Sequence, residues 1–173
     1  MYAMGRGVTQ DYAQAVKWYR KAADQGFAPA QDNLGWMYEM GQGVTQDGAQ
    51  EAKWYGKAAD QGHATAQYTL GLTYSESQDV TRDYAQAVKW FRKAADQGHR
   101  WAQYNLGVMY YKGQGVIHDN ITAHMWWNIA ASKGNKDAMK NRDIIAKRMT
   151  TTTIEEAQKR ARVCVKSNYK RCD

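Results

Sequence analysis

The chain has 173 residues, 24 basic against 17 acidic side chains and a formal charge of +7, which is the size of one ordinary domain. Proline occurs once, at Pro29, and apolar residues recur three and four apart rather than alternating, so strand signals are poor. No signal peptide opens the chain, and the most compact apolar cluster, Met125, Trp126 and Trp127, is far too short to span a bilayer.

Taken in chain order, the first segment is already a fragment of something repeated. Met1 to Val8 matches Met37 to Val44, the end of a helix, so the chain opens in mid-repeat. The cause is either truncation, which would have removed any export signal, or an unusual natural start that leaves Tyr12 to Gln25 as an uncapped terminal helix. From there a 36-residue unit runs without insertion or deletion: Trp18, Trp54, Trp90 and Trp126 fall at that spacing, as do Gly26, Gly62, Gly98 and Gly134. YAQAVKWYRKAADQG (Tyr12 to Gly26) and YAQAVKWFRKAADQG (Tyr84 to Gly98) differ at one position, Tyr19 against Phe91. Such a period predicts stacked two-helix units, none of which can bury its apolar face alone.

Within each unit, one helix is predicted to begin at an aspartate (Asp11, Asp47, Asp83, Asp119), whose carboxylate caps free N–H groups, and to end at the repeated glycine. Ala15, Trp18, Tyr19, Ala22 and Ala23 form its apolar stripe and read as core. The other helix runs from about Ala28 to Met40, with Pro29 suited to its first turn. Leu34, Gly35 and Tyr38 recur as Leu70, Gly71, Tyr74 and Leu106, Gly107, Tyr110. Glycine costs about 1 kcal/mol in a helix interior, so its recurrence predicts close helix approach.

Beyond Gly134 the pattern changes. Lys136 to Met149 reads as a final helix, Thr150 to Thr153 as a break, and Thr153 with Glu156 as the capping box of a lid helix over the last repeat. Residues 1–132 carry 12 basic and 12 acidic side chains while residues 133–173 carry 12 and 5, so the whole excess charge lies in this terminal piece. It is either a solvated helix face or a patch for an anionic surface; without an aromatic ladder, nucleic acid is disfavoured as its target. Cys164 and Cys172 would lie about 12 Å apart on one continuous helix, too far for a disulfide. They could meet if the helix stops near Ser167 and Asn168 and the chain folds back.

Chemistry-bearing motifs are thin. The Gly5-Gly7, Gly41-Gly43 and Gly113-Gly115 pairs follow helices rather than strands, so they read as turns and not phosphate loops. His63 and His99 are equivalent, and His118 and His124 flank a helix start, yet no cysteine or carboxylate cluster completes a metal site. Ser167 to Lys170 matches S-x-x-K but lacks the companion motifs of serine β-lactamases, so β-lactam hydrolysis is the weakest reading. The expectation is no enzyme, no metal and no cofactor.

The motif A-x-x-x-L-G-x-x-Y-x-x-G-x-G-V followed by D-Y-x-x-A-x-x-W-Y-x-K-A-A-x-x-G resembles the Sel-1-like repeat, from Met1 to about Gly134. Ser77 and Asp79 in place of the paired glycines, Gly48 in place of tyrosine and Gly56 in place of a basic residue depart from it. The resemblance implies an all-α fold, an α-solenoid coiled as a right-handed superhelix related to tetratricopeptide arrays, used as a scaffold for contacts between proteins. The organisation expected is a repeat array at 1–134 (a partial repeat 1–26, then 27–62, 63–98 and 99–134) and a terminal helix, capping helix and basic tail at 135–173. The C-x7-C spacing of cysteine-rich relatives supports a Cys164–Cys172 disulfide, which would imply an oxidising, extracytoplasmic compartment; without it a cytoplasmic home is expected.

Comparison of the copies separates fixed from free positions. First helices differ at Pro29, Thr65, Trp101; at Asp32, Tyr68, Tyr104; at Trp36, Leu72, Val108; at Glu39, Ser75, Tyr111; and at Met40, Glu76, Lys112. If the array resembles tetratricopeptide arrays, these registers line its concave groove. Trp36, Met40, Tyr68, Leu72, Trp101, Tyr104 and Tyr111 are the expected anchors for a peptide or protein partner of a monomer, with Tyr68 and Tyr104 alternatively packing between repeats.

Overall fold

The computed structural model describes residues 10–76 and 82–172. Ser77, Asp79 and the Gly5-Gly7 pair lie outside them. The described residues form nine α-helices and no strand: α1 (Tyr12–Asp24), α2 (Ala28–Met40), α3 (Gly48–Asp60), α4 (Ala64–Glu76), α5 (Tyr84–Ala95), α6 (Arg100–Lys112), α7 (Asn120–Ser132), α8 (Lys136–Ala146) and α9 (Thr151–Lys166). Two compact units divide between Leu70 and Gly71.

The helix boundaries follow the expected chemistry. Asp11, Asp47, Asp83 and Asp119 each cap a helix, their carboxylates accepting N–H groups of the first turn, as Asp11 does from Gln14 at 3.0 Å. Each of these helices stops before a left-handed glycine, with φ between +80° and +89° at Gly26, Gly62, Gly98 and Gly134. The N–H that follows the glycine reaches back to the first of the paired alanines, as His63 does to the Ala58 carbonyl at 3.0 Å. Pro29 sits in the first turn of α2, where its missing N–H has no helical partner to lose.

In unit 1, α1 packs on α2 and α2 on α3. Ala15, Val16, Ala23, Ala30, Leu34, Met37, Tyr38 and Trp54 form the core cluster. A Cβ on Gly35 would stand 2.9 Å from the Tyr55 ring, so the glycine is what lets α3 seat its aromatic on α2. Unit 2 repeats this with other rings: the same atom on Gly71 would meet Phe91 at 2.4 Å, and on Gly107 would meet Trp127 at 2.4 Å. There α5 packs on α6, α6 on α7, and α7 on both α8 and α9. Trp126 and Trp127 are buried in this unit, whereas Trp18, at the Trp126 register of the first copy, is 57% exposed.

A polar residue that the helical stripe leaves unexplained completes each junction. Gln31, Gln67 and Gln103 are buried, and each side-chain amide donates to the second alanine carbonyl of the preceding helix: Ala23 and Ala59 at 3.0 Å, Ala95 at 3.1 Å. The glutamines thus give a second kind of donor to carbonyls in the last turn that otherwise accept from the backbone, as Ala23 does from the Gly26 N–H at 3.0 Å. Their 36-residue spacing was the available signal.

The C-terminal elements correct two expectations. α8 ends at Ala146, not Met149. α9 is capped by Thr150, whose Oγ1 accepts from the Thr153 N–H at 3.3 Å, so the capping residue is Thr150 rather than Thr153 and no Thr153–Glu156 box forms. In a run of four threonines the first one free to adopt extended backbone caps the helix, and the rest are drawn into it. After Lys166 the chain does fold back: Asn168 and Tyr169 take left-handed φ of 53° and 64°, and Cys164 and Cys172 are joined by a disulfide with Cα atoms 4.4 Å apart.

Candidate functional site

α2 displays Trp36 and Met40 to solvent, at 38% and 54% exposure, one helical turn apart. In unit 2 α6 displays Trp101 and Tyr111, at 40% and 37%, with Tyr104 half-buried between them. Spacings of three and seven residues put all three on one arc of the helix. The rings are fixed: Trp101 meets Tyr104 edge-on with centroids 6.4 Å apart, and Tyr111 lies 5.6 Å from Trp127 and 6.3 Å from His118. Tyr104 also rests against the core cluster of unit 2, and its carbonyl accepts from the Trp127 indole at 3.1 Å. It therefore serves packing as well as display. Tyr68 and Leu72 on α4 are half-buried, the first in unit 1 and the second in unit 2.

Around α2 the electrostatics are acidic. The Tyr55 hydroxyl donates to Glu39 Oε2 at 2.7 Å. Burial drives the Tyr55 phenol far above its ordinary range, and the hydrogen bond to Glu39 and the charges of Glu39, Asp32 and Glu51 push it further. Burial likewise raises the Asp32 carboxyl above its usual value, against the smaller opposing pull of His63. His63 Nδ1 lies 3.5 Å from Asp32 Oδ1 without forming a hydrogen bond, so the contact is a loose ion pair when His63 is protonated.

The remaining candidates resolve into structural roles. His99 Nδ1 accepts from the Ala102 N–H at 3.3 Å and caps α6. His124 is buried in α7, where desolvation and then the Arg142 charge hold its imidazole below the ordinary value. No group of three histidine, cysteine or acidic residues comes together as a metal site among the described residues. The Ser167 hydroxyl donates to the Cys164 carbonyl at 2.8 Å and accepts from the Arg171 N–H at 3.0 Å, so it closes the tail turn. Part of the basic terminal charge is internal: Lys133 Nζ donates to the Gly98 carbonyl at 2.5 Å and stands 4.4 Å from the Tyr169 ring. No helix of the described residues is long and apolar enough to cross a membrane.

Helical hairpins on a 36-residue period define the class of a helical-repeat solenoid, and the comparisons with known proteins agree. The Sel1 repeat model matches residues 1–27, 28–63, 64–99 and 102–135, and the chain belongs to the Sel1 repeat family. It is similar to a Sel1 repeat protein from Oxalobacter formigenes, at 37% identity and a TM-score of 0.77 over 82% of this chain and 58% of that one. It is also similar to c5321, a protective antigen of uropathogenic Escherichia coli strains with the same repeat fold, at 39% identity and a TM-score of 0.83 over 97% of this chain and 35% of that one. The chain thus spans little more than half of the first relative and about a third of the second. Helicobacter pylori cysteine rich protein B shares the fold at 21% identity and a TM-score of 0.59, over 76% of this chain and 94% of that one. No curated protein matches. The fold is an α-solenoid, and proteins of this family generally serve as scaffolds for protein interaction rather than as enzymes.

Proposed function

We propose that this chain is an adaptor that holds a peptide or protein surface against the aromatic faces of its first helices: Trp36 and Met40 on α2, Tyr68 and Leu72 on α4, and Trp101, Tyr104 and Tyr111 on α6. The residues that carry the task lie in the repeat array, 1–134, with 135–173 closing its end. The observation that carries this reading is that α2 and α6 both expose large apolar side chains at registers where the repeat itself dictates no fixed residue. Helices brace these rings before a partner arrives, so little ordering entropy is lost on binding. The adaptor works as a monomer, and the disulfide supports an oxidising, extracytoplasmic setting for it.

The test is a displayed peptide library, selected against the intact protein and then measured against two variants that circular dichroism shows to be helical. Trp101→Ala/Tyr104→Ala/Tyr111→Ala and Trp36→Ala/Met40→Ala are each expected to weaken the selected peptides by about a hundredfold or more, the loss of three and of two anchor side chains. Unchanged affinity in both would refute the assignment. A second reading, contact of the basic terminal region with an anionic surface, rests on the excess charge within residues 133–173. Salt separates the two, since that contact weakens steeply with ionic strength and an aromatic face does not.

A further inference from the structure

One stripe of α2 combines apolar and acidic groups. Asp32, Trp36, Glu39 and Met40 follow at i, i+4, i+7 and i+8, so they share a helix face, and the Tyr55 environment shows the charges of Asp32, Glu39 and Glu51 converging beside it. No lysine or arginine among the described residues forms an ion pair with Asp32 or Glu39.

The other copies act as internal controls for what this fold needs. Asp32 is matched by Tyr68 and Tyr104, Glu39 by Ser75 and Tyr111, and Glu51 by Ala87 and Ala123. Neutral residues fill all three registers elsewhere, so the repeat itself does not require the acids, although in this copy Glu39 Oε2 accepts the hydroxyl that Tyr55 carries and Phe91 and Trp127 lack. Asp32 in addition works against folding, because burial disfavours its charged form. Two carboxylates without a lysine or arginine partner among the described residues, set beside a tryptophan and a methionine left exposed, fit a partner with an aliphatic stem and a positive head.

Resting on the adaptor reading above, we infer that the α2 face of unit 1 receives a cationic side chain, an arginine or lysine of a partner peptide. Its stem lies on Trp36 and Met40, and its charged head is held by Asp32 and Glu39. Arginine binds more tightly than lysine where both carboxylates are engaged at once, because the planar guanidinium can present two donors.

Three fluorescein-labelled nonapeptides of glycine, serine and leucine, carrying two arginines, two lysines or two glutamates at the same positions, test this by fluorescence anisotropy at fixed ionic strength. The two basic peptides are expected to bind at least tenfold more tightly than the acidic one. Asp32→Asn/Glu39→Gln is expected to abolish that preference while keeping or raising the melting temperature. Asp137→Asn/Glu155→Gln, an equal charge change on α8 and α9, is expected to leave it intact. No preference in the intact protein, or the same preference in Asp32→Asn/Glu39→Gln, overturns the inference. In the latter case, loss of binding in Trp36→Ala/Met40→Ala would still leave α2 as an adaptor surface, whereas retention there would remove α2 from both readings.

Discussion

Gly107 has the indole of Trp127 where its side chain would be. Alanine there would gain about 1 kcal/mol of helix propensity but force a rigid ring aside, at about 1–3 kcal/mol. Gly107→Ala is therefore expected to lower the denaturation midpoint, and more than Gly35→Ala, whose Cβ would meet Tyr55 at the longer distance of 2.9 Å. A rise in midpoint for Gly107→Ala would show that the ring can yield. A second residue-scale effect concerns His124 and His99, both held below the ordinary value of 6.5, chiefly by burial, with Arg142 acting on the first and Lys133 and Arg100 on the second. The folded state favours their neutral forms. Stability is thus full above that value and falls as pH drops through it, since the unfolded chain takes up the protons first. Melting temperature should decline between pH 7.5 and 5.5, and His124→Gln should reduce that slope, with His99 keeping part of it; an unchanged slope would remove His124 as a contributor. At this scale the sequence made the packing glycines readable through repetition alone. It did not reveal the carboxylates around Tyr55, because Asp32, Glu39 and Glu51 come from two helices and only the fold assembles them.

Helix ends were legible wherever a single capping residue stood before a stripe, as with Asp11, Asp47, Asp83 and Asp119, and ambiguous where several could serve. Thr150 to Thr153 all offer hydroxyls, and the pattern of the following glutamates favours Thr153, yet Thr150 takes the extended backbone and accepts the Thr153 N–H. Thr150→Ala should cost about 1 kcal/mol, the usual worth of an N-cap, and Thr153→Ala distinctly less. Chemical denaturation of both variants decides the order, and a larger loss for Thr153→Ala would restore the capping box. The buried glutamines show the opposite limit: a polar residue inside an apolar pattern reads as a surface position until the carbonyl it serves, at the end of the preceding helix, is in place.

For the molecule as a whole, the 36-residue period carries the fold class because each repeat must be stacked to bury its core. The tail was only half legible: spacing left Cys164 and Cys172 free to meet or not, and the left-handed turn at Asn168 and Tyr169 decides it. Closing so short a loop should stabilise unit 2 by about 2–3 kcal/mol. Reduction should therefore lower its melting temperature, and intact mass should show no free thiols before reduction; two free thiols in the native protein would contradict the bridge and the oxidising setting drawn from it. The central claim is that partners meet the first-helix faces. A photoreactive phenylalanine analogue in place of exposed Lys112, on the arc of α6 that carries Trp101 and Tyr111, should crosslink a protein partner in the cell extract, and one in place of exposed Lys159 on α9 should not. Adducts at position 159 with none at 112 would contradict the account and move the partner to the basic terminal helices.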